Sequence, residues 1–191
     1  MDSARNDDAP IGTYEYLDYS DPAEIFRPYD PCFPEVARRV GALIAGRMPD
    51  ARVEHIGSTA VEGCAGKGIV DLQLLYPPGR LAAARETLDG LGFQRQTGLD
   101  PFPEERPLRV GTIEVDGALY RLHVHVVAED DAEAEDLRHF RDRLRADPAL
   151  LAEYVASKQA ALASGVPNNI AYGQAKAPVI RRALADRADT T

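Results

Sequence analysis

The chain has 191 residues, 45% of them apolar and 28% charged, with 22 Lys and Arg against 31 Asp and Glu, a net charge of −9. That balance suits one folded domain with a helical appendage and excludes a chain too polar to bury a core. No apolar run approaches the roughly 18–20 residues that span a bilayer, and no basic run offers the patch that duplex nucleic acid requires.

The N-terminus, MDSARNDDAP, is acidic and lacks the apolar segment of a secretory signal. Two cysteines, Cys32 and Cys64, cannot build a disulfide framework or a four-ligand zinc site. A reducing, cytoplasmic location is the expectation. Residues 1–27 read as a tail, then a segment laid over the surface, with Tyr14, Tyr16, Leu17, Tyr19, Ile25 and Phe26 interrupting the polar run. Residues 28–187 read as the domain. Pro28, Pro31 and Pro34 define a rigid turn region. Val36, Val40, Leu43 and Ile44 then mark one apolar helical face ending near Met48.

Val53–Ile56 reads as a short strand and Ile69–Tyr76 as a longer one. Between them lies the glycine-rich stretch from Gly57 to Gly68. Leu81, Ala84, Leu88 and Leu91 predict a helix closed by Gly92. Phe93–Thr97 reads as a strand and Leu99–Pro107 as a loop. Asp116-Gly117, between Arg109–Val115 and Leu119–Val127, is a two-residue hairpin signal. The acidic run Glu129 to Asp136 reads as a solvated helix start. Leu137, Phe140 and Leu144 continue that helix. Asp147-Pro148 supplies a cap and first-turn proline for the next. A last helix reaches about Leu184, with Pro178 either kinking it or marking its start. The order predicts a mixed α/β core with C-terminal helices.

Strand alternation puts the candidate chemistry together. In Ile69–Tyr76 the even positions are apolar, so Asp71 and Gln73 share the other face. In the second hairpin strand Arg121, His123 and His125 share the face opposite Tyr120, Leu122 and Val124. Neighbouring strands would gather Asp71, Gln73, His123 and His125 on one surface, either a site for a divalent metal or proton transfer or an ordinary exposed strand face. The glycine stretch is either an anion-binding turn, with Ser58, Thr59 and Lys67 as donors, or a flexible surface turn. It is neither a P-loop nor a dinucleotide fingerprint. Tyr154 with Lys158, and Tyr172 with Lys176, each share a helical face at i, i+4.

The run from Val53 to Val61, followed by Gly66 to Asp71, resembles the signature of the GrpB family, which also occurs fused to dephospho-CoA kinase. Pro28 to Pro31 with Phe33-Pro34, Leu122 to Val127, Phe140 to Asp142, Pro148, Tyr154, Lys158, Tyr172 and Lys176 extend the likeness over about residues 25–185. The resemblance implies a nucleotidyltransferase-like fold. Ile56-Gly57-Ser58 and Asp71 match that superfamily's pattern; Gln73 stands where a second carboxylate would complete a two-metal set. It further implies Asp71, His123 and His125 as catalytic residues, and Asp71 with His125 as ligands for Mg²⁺, Mn²⁺ or Zn²⁺. Gly57, Ser58, Thr59, Lys67, Arg141, Lys158 and Lys176 would hold a nucleotide or another phosphorylated or carboxylated small molecule. A non-catalytic metabolite sensor and a protein-interaction module remain the alternatives.

Overall fold

The computed structural model describes residues 10–21 and 25–185. Residues 1–9, 22–24 and 186–191 lie outside these, and with them most of the expected tail, part of the expected surface segment and the end of the expected domain beyond 185. Among the described residues the elements are α1 (Phe33–Arg47), β1 (Arg52–Ile56), a 3₁₀ turn (Ser58–Ala60), β2 (Ile69–Tyr76), α2 (Leu81–Gly90), β3 (Gln94–Arg95), β4 (Leu108–Val115), β5 (Ala118–Ala128), α3 (Ala132–Ala146), α4 (Pro148–Ala163) and α5 (Asn169–Ala185). The strands form one sheet in the order β1-β2-β5-β4-β3. It is mixed: β2 and β5 are parallel, and the other pairs are antiparallel.

Local chemistry accounts for most of these elements. The β4–β5 hairpin turns on Asp116 (φ 51°) and Gly117 (φ 79°), the two left-handed residues that a type I′ turn needs. Asp147 caps α4 by accepting from the backbone N–H groups of Ala149 and Leu150, both at 3.0 Å. Pro178 lies inside α5 rather than at its start. Its missing N–H leaves the Gln174 carbonyl without the usual helical donor.

The apolar parity of β2 and β5 (Val70, Leu72, Leu74 with Leu122, Val124, Val126) packs against Val36, Val40 and Ile44 of α1 and Ala84 and Leu88 of α2. Each large aliphatic side chain buried there contributes about 1.5–3 kcal/mol. The opposite, polar parity faces α3, α4, α5 and the strap formed by residues 10–21. A second apolar cluster joins Val61 and Cys64 of the glycine stretch to Phe140, Leu144, Leu150, Tyr154 and Val179. The sheet is thus a middle layer, and its polar face is roofed rather than open.

The strap is fastened to the free side of β4. Gly12 exchanges backbone hydrogen bonds with Thr112, at 2.8 and 3.0 Å. Two glycines permit the approach. A Cβ on Gly111 would stand 2.3 Å from Ile11 Cγ2, and one on Gly12 would stand 2.8 Å from Thr112 Oγ1. Tyr14 N–H donates to Gln94 Oε1 (2.8 Å), and Tyr16 Oη accepts from the N–H groups of Thr97 and Gly98.

Candidate functional site

The parallel register of β2 and β5 sets Asp71 beside His123 and Gln73 beside His125. Asp71 Oδ1 lies 3.4 Å from His123 Nδ1, and His123 Nε2 lies 2.9 Å from Tyr14 Oη. Burial opposes the charge of Asp71, but the His123 hydrogen bond and the nearby His125 and Lys67 hold its carboxyl below the ordinary range. With Asp71 ionised, the His123 Nδ1–H donates to it, and the bare Nε2 accepts from the Tyr14 hydroxyl. Burial, then the Asp71 charge, pushes the Tyr14 phenol up, so it remains protonated at neutral pH. Burial also depresses His125, against the pull of Asp71. Its ring meets Phe102 edge-on at 6.0 Å.

These side chains open into a cavity of about 850 Å³, lined also by Gly57, Ser58, Lys67, Lys158 and Lys176. That volume lies in the range that holds small ligands and cofactors. Gly57 is required on two counts. Its φ is +69°, and a Cβ there would stand 2.6 Å from Asp71 Oδ2. The turn therefore rests its backbone against the carboxylate. Gly66 permits a second close approach: a Cβ there would lie 3.0 Å from Lys158 Nζ and 3.7 Å from Ser58 Oγ. Gly66 is pinned by reciprocal backbone hydrogen bonds with Arg27, at 2.8 and 2.9 Å.

Among the described residues, the three lysines have no carboxylate in their first contacts. Lys67 Nζ donates to Tyr19 Oη at 3.3 Å and sits 5.1 Å from the Tyr172 ring centre. Lys158 Nζ donates to Cys64 Sγ (3.3 Å) and to the Ala65 carbonyl, 4.5 Å from the Tyr154 ring centre. Lys176 Nζ lies 5.4 Å from the Tyr172 ring centre and 6.0 Å from that of Tyr154. Burial first, then Lys176 and Lys158, lowers Lys67 to about 8. Burial lowers Lys158 too, while Lys176 is raised, first by Tyr154.

Three residues expected at the site are engaged elsewhere. Thr59 is buried, its Oγ1 3.0 Å from His55 Nε2, and it does not line the cavity. Burial lowers that histidine to about 4, so it is neutral. Arg141 is spent on structure: it donates to the His55 carbonyl (3.0 Å) and to Asp142 (2.7 and 2.9 Å), fixing α3 to β1. Gln73 shares the Asp71 parity but lies under α3, fully buried. Its Nε2 donates to Glu54 Oε2 (2.9 Å) and the Ala134 carbonyl (3.4 Å), and its Oε1 has no protein partner. Glu54 in turn is held by Arg138 and Arg52.

This donor set does not fit a two-Mg²⁺ centre, which needs carboxylates bridging both ions. Asp71 is the one carboxylate on its strand's cavity face, and Gln73 is neutral and committed to other groups. Among the described residues, no group of three or more His, Cys, Asp or Glu is placed to hold a metal. Conversely, Tyr14, Tyr16 and Tyr19 line the cavity although strand and helix periodicity never pointed to them. The signal was present as three tyrosines spaced within six residues of an otherwise acidic segment.

A mixed sheet with a roofed polar face, a glycine turn against the Asp71 carboxylate and a cavity lined in part by lysines defines a small α/β domain. The chain belongs to the GrpB family, whose model, described as GrpB protein, matches residues 25–186. A UPF0157 protein of Pseudomonas aeruginosa is 34% identical over 175 residues, covering 82% of this chain and 64% of that protein. A UPF0157 protein of Vibrio cholerae is 31% identical over 117 residues, covering 61% and 58%. The chain thus spans less than two thirds of the length of these relatives. The crystal structure of the conserved protein GrpB from Enterococcus faecalis superposes with a TM-score of 0.64 at 23% identity, covering 85% of this chain and 99% of that one. That likeness shows the shared fold. No helix among the described residues is long and apolar enough to cross a membrane.

Proposed function

We propose that the cavity takes a nucleotide or another phosphorylated or carboxylated small molecule, and that the chain performs nucleotidyl transfer or a reaction derived from it. The observation that carries this reading is the convergence of Lys67, Lys158 and Lys176 on one cavity, with only hydroxyl, thiol, carbonyl and ring contacts to hold them. Asp71 offsets part of the repulsion among these ammonium groups, and a bound anion would offset more. Gly66, lacking a side chain, lets Lys158 and Ser58 stand close together at the cavity wall, where both could contact a phosphate. Asp71 orients His123, and His123 accepts a proton from a hydroxyl. Attracting an anion and deprotonating a hydroxyl are the two tasks of a group-transfer site that lacks a second metal-binding carboxylate.

The buried, hydrogen-bonded amide of Gln73 favours a second reading, in which the same cavity senses a metabolite without turning it over. One set of measurements separates the two. ATP, GTP, CTP, UTP and pyrophosphate are titrated calorimetrically, and pyrophosphate release is followed in parallel. Binding with release supports the enzyme, and binding alone supports the sensor. Ser58→Ala should weaken binding by about 0.5–1.5 kcal/mol, the net worth of one hydrogen bond. Failure of all five compounds to bind would sink the nucleotide form of both readings.

A further inference from the structure

We propose that Tyr14 is a nucleophile, so that its Oη becomes covalently nucleotidylated by a nucleoside triphosphate bound in the cavity. This rests on the nucleotide reading above and adds a chemical step to it. An activated nucleophile is recognised by a base within hydrogen-bond reach, itself oriented by a third group. Tyr14 Oη, His123 Nε2 and His123 Nδ1 with Asp71 Oδ1 form that series, at 2.9 Å and 3.4 Å.

Three other hydroxyls nearby lack the arrangement. Thr59 is paired with His55 but does not line the cavity. Tyr16 Oη is occupied by two backbone N–H donors, and Tyr19 Oη faces an ammonium group rather than a base. Tyr14 is 8% exposed, and it is among the residues lining the cavity that the lysines share. Its position is fixed by the Gln94 hydrogen bond to its own N–H and by Ile11 seated over Gly111. A nucleophile held this way is set in place before any ligand arrives.

The step balances without an added reductant or oxidant. Tyr14 Oη forms a bond to the α-phosphorus, and the bond from that phosphorus to the oxygen bridging to the β-phosphate breaks. The phenolic proton passes to His123 Nε2. Pyrophosphate leaves with the electron pair of the broken bond, and the lysines offset its charge. The product is a tyrosyl nucleoside monophosphate ester.

The test incubates the full chain with each of the four ribonucleoside triphosphates, with and without Mg²⁺. Intact mass and peptide mapping detect the adduct, and calorimetry measures binding on the same samples. The expected result is one nucleoside monophosphate per chain on the peptide holding Tyr14. It should be absent in Tyr14→Phe and at least tenfold slower in His123→Gln, with triphosphate binding retained in both. Thermal melting of the variants verifies that they fold. Binding without an adduct overturns the nucleophile while leaving the nucleotide reading intact. An adduct on Tyr16, Tyr19 or a lysine also overturns it. Neither binding nor adduct overturns both.

Discussion

Asp71 and Gln73 have the same parity on β2, two residues apart, yet their surroundings give them opposite uses. Asp71 opens to the cavity and keeps its charge because His123 donates to it. Asp71→Asn presents an N–H₂ group to Nδ1 and favours the imidazole tautomer with Nε2 protonated, which cannot accept from Tyr14. Turnover measured by pyrophosphate release should fall about 10²–10⁴-fold, the usual contribution of a positioned acid or base. The melting temperature should move little. Full activity in this variant would remove Asp71 from the mechanism. Gln73 is sealed under α3, with Glu54 as its hydrogen-bond partner. Gln73→Asp would discard the amide donor and set a second carboxylate beside Glu54. The expected outcome is a loss of about 1–3 kcal/mol in stability, with no Mg²⁺ binding gained. Calorimetric titration with Mg²⁺ and a denaturant melt check both halves of that statement. A variant that gains Mg²⁺ affinity would show that position 73 can still serve a two-metal site.

At the scale of elements, period-2 alternation sets Asp71 on one face of β2 and His123 with His125 on one face of β5, because a half-buried strand must separate its polar and apolar residues; that β2 and β5 are neighbours is a property of the sheet's pairing. With that pairing, Asp71, His123 and His125 form one group. The Asp116-Gly117 hairpin and the Asp147-Pro148 helix start were legible because each satisfies a local backbone need. Two features were not. Gln73 obeys the same alternation, and only the placement of α3 over β2 hides it from the cavity. The strap carries Tyr14 into the site through contacts such as Gly12 with Thr112 and Ile11 with Gly111, about a hundred positions apart in sequence, and no local pattern encodes such pairings. Gly111 is where this contact can be tested. In Gly111→Ala the new methyl would stand 2.3 Å from Ile11 Cγ2 and 3.2 Å from Phe93 Cδ1. Ile11 is β-branched and cannot swing clear cheaply, so the strap must lift, at a cost of about 1–3 kcal/mol. Hydrogen exchange should accelerate in residues 11–16 while β2 and β5 stay protected. Unchanged exchange in the strap would show that Ile11 repacks and that this contact does not position Tyr14.

At the scale of the whole molecule, a chain of net charge −9 confines three lysines around one cavity, and for Lys67 stability and anion binding make opposite demands on pH. In the folded state burial, then Lys176 and Lys158, brings Lys67 from 10.5 to about 8. The unfolded chain keeps the ordinary value, so between about pH 8 and 10.5 it holds a proton that the folded chain has released. Stability rises with pH wherever the unfolded state binds more protons. The ligand-free protein should therefore gain stability from Lys67 as pH rises through this window. Anion binding should behave in the reverse sense, since only the ammonium form attracts the ligand. Affinity for a triphosphate should be level from about pH 7 to 8 and then fall by up to about tenfold per unit, the limit for one proton. Lys67→Met keeps an unbranched chain in the same space and carries no titrating group. It should bind more weakly at pH 7 and lose the Lys67 component of both slopes. Calorimetric titrations and denaturant melts between pH 7 and 9.5, on the natural chain and on this variant, read the two slopes separately. If affinity falls as steeply in Lys67→Met as in the natural chain, the titrating group lies elsewhere and Lys67 does not hold the anion.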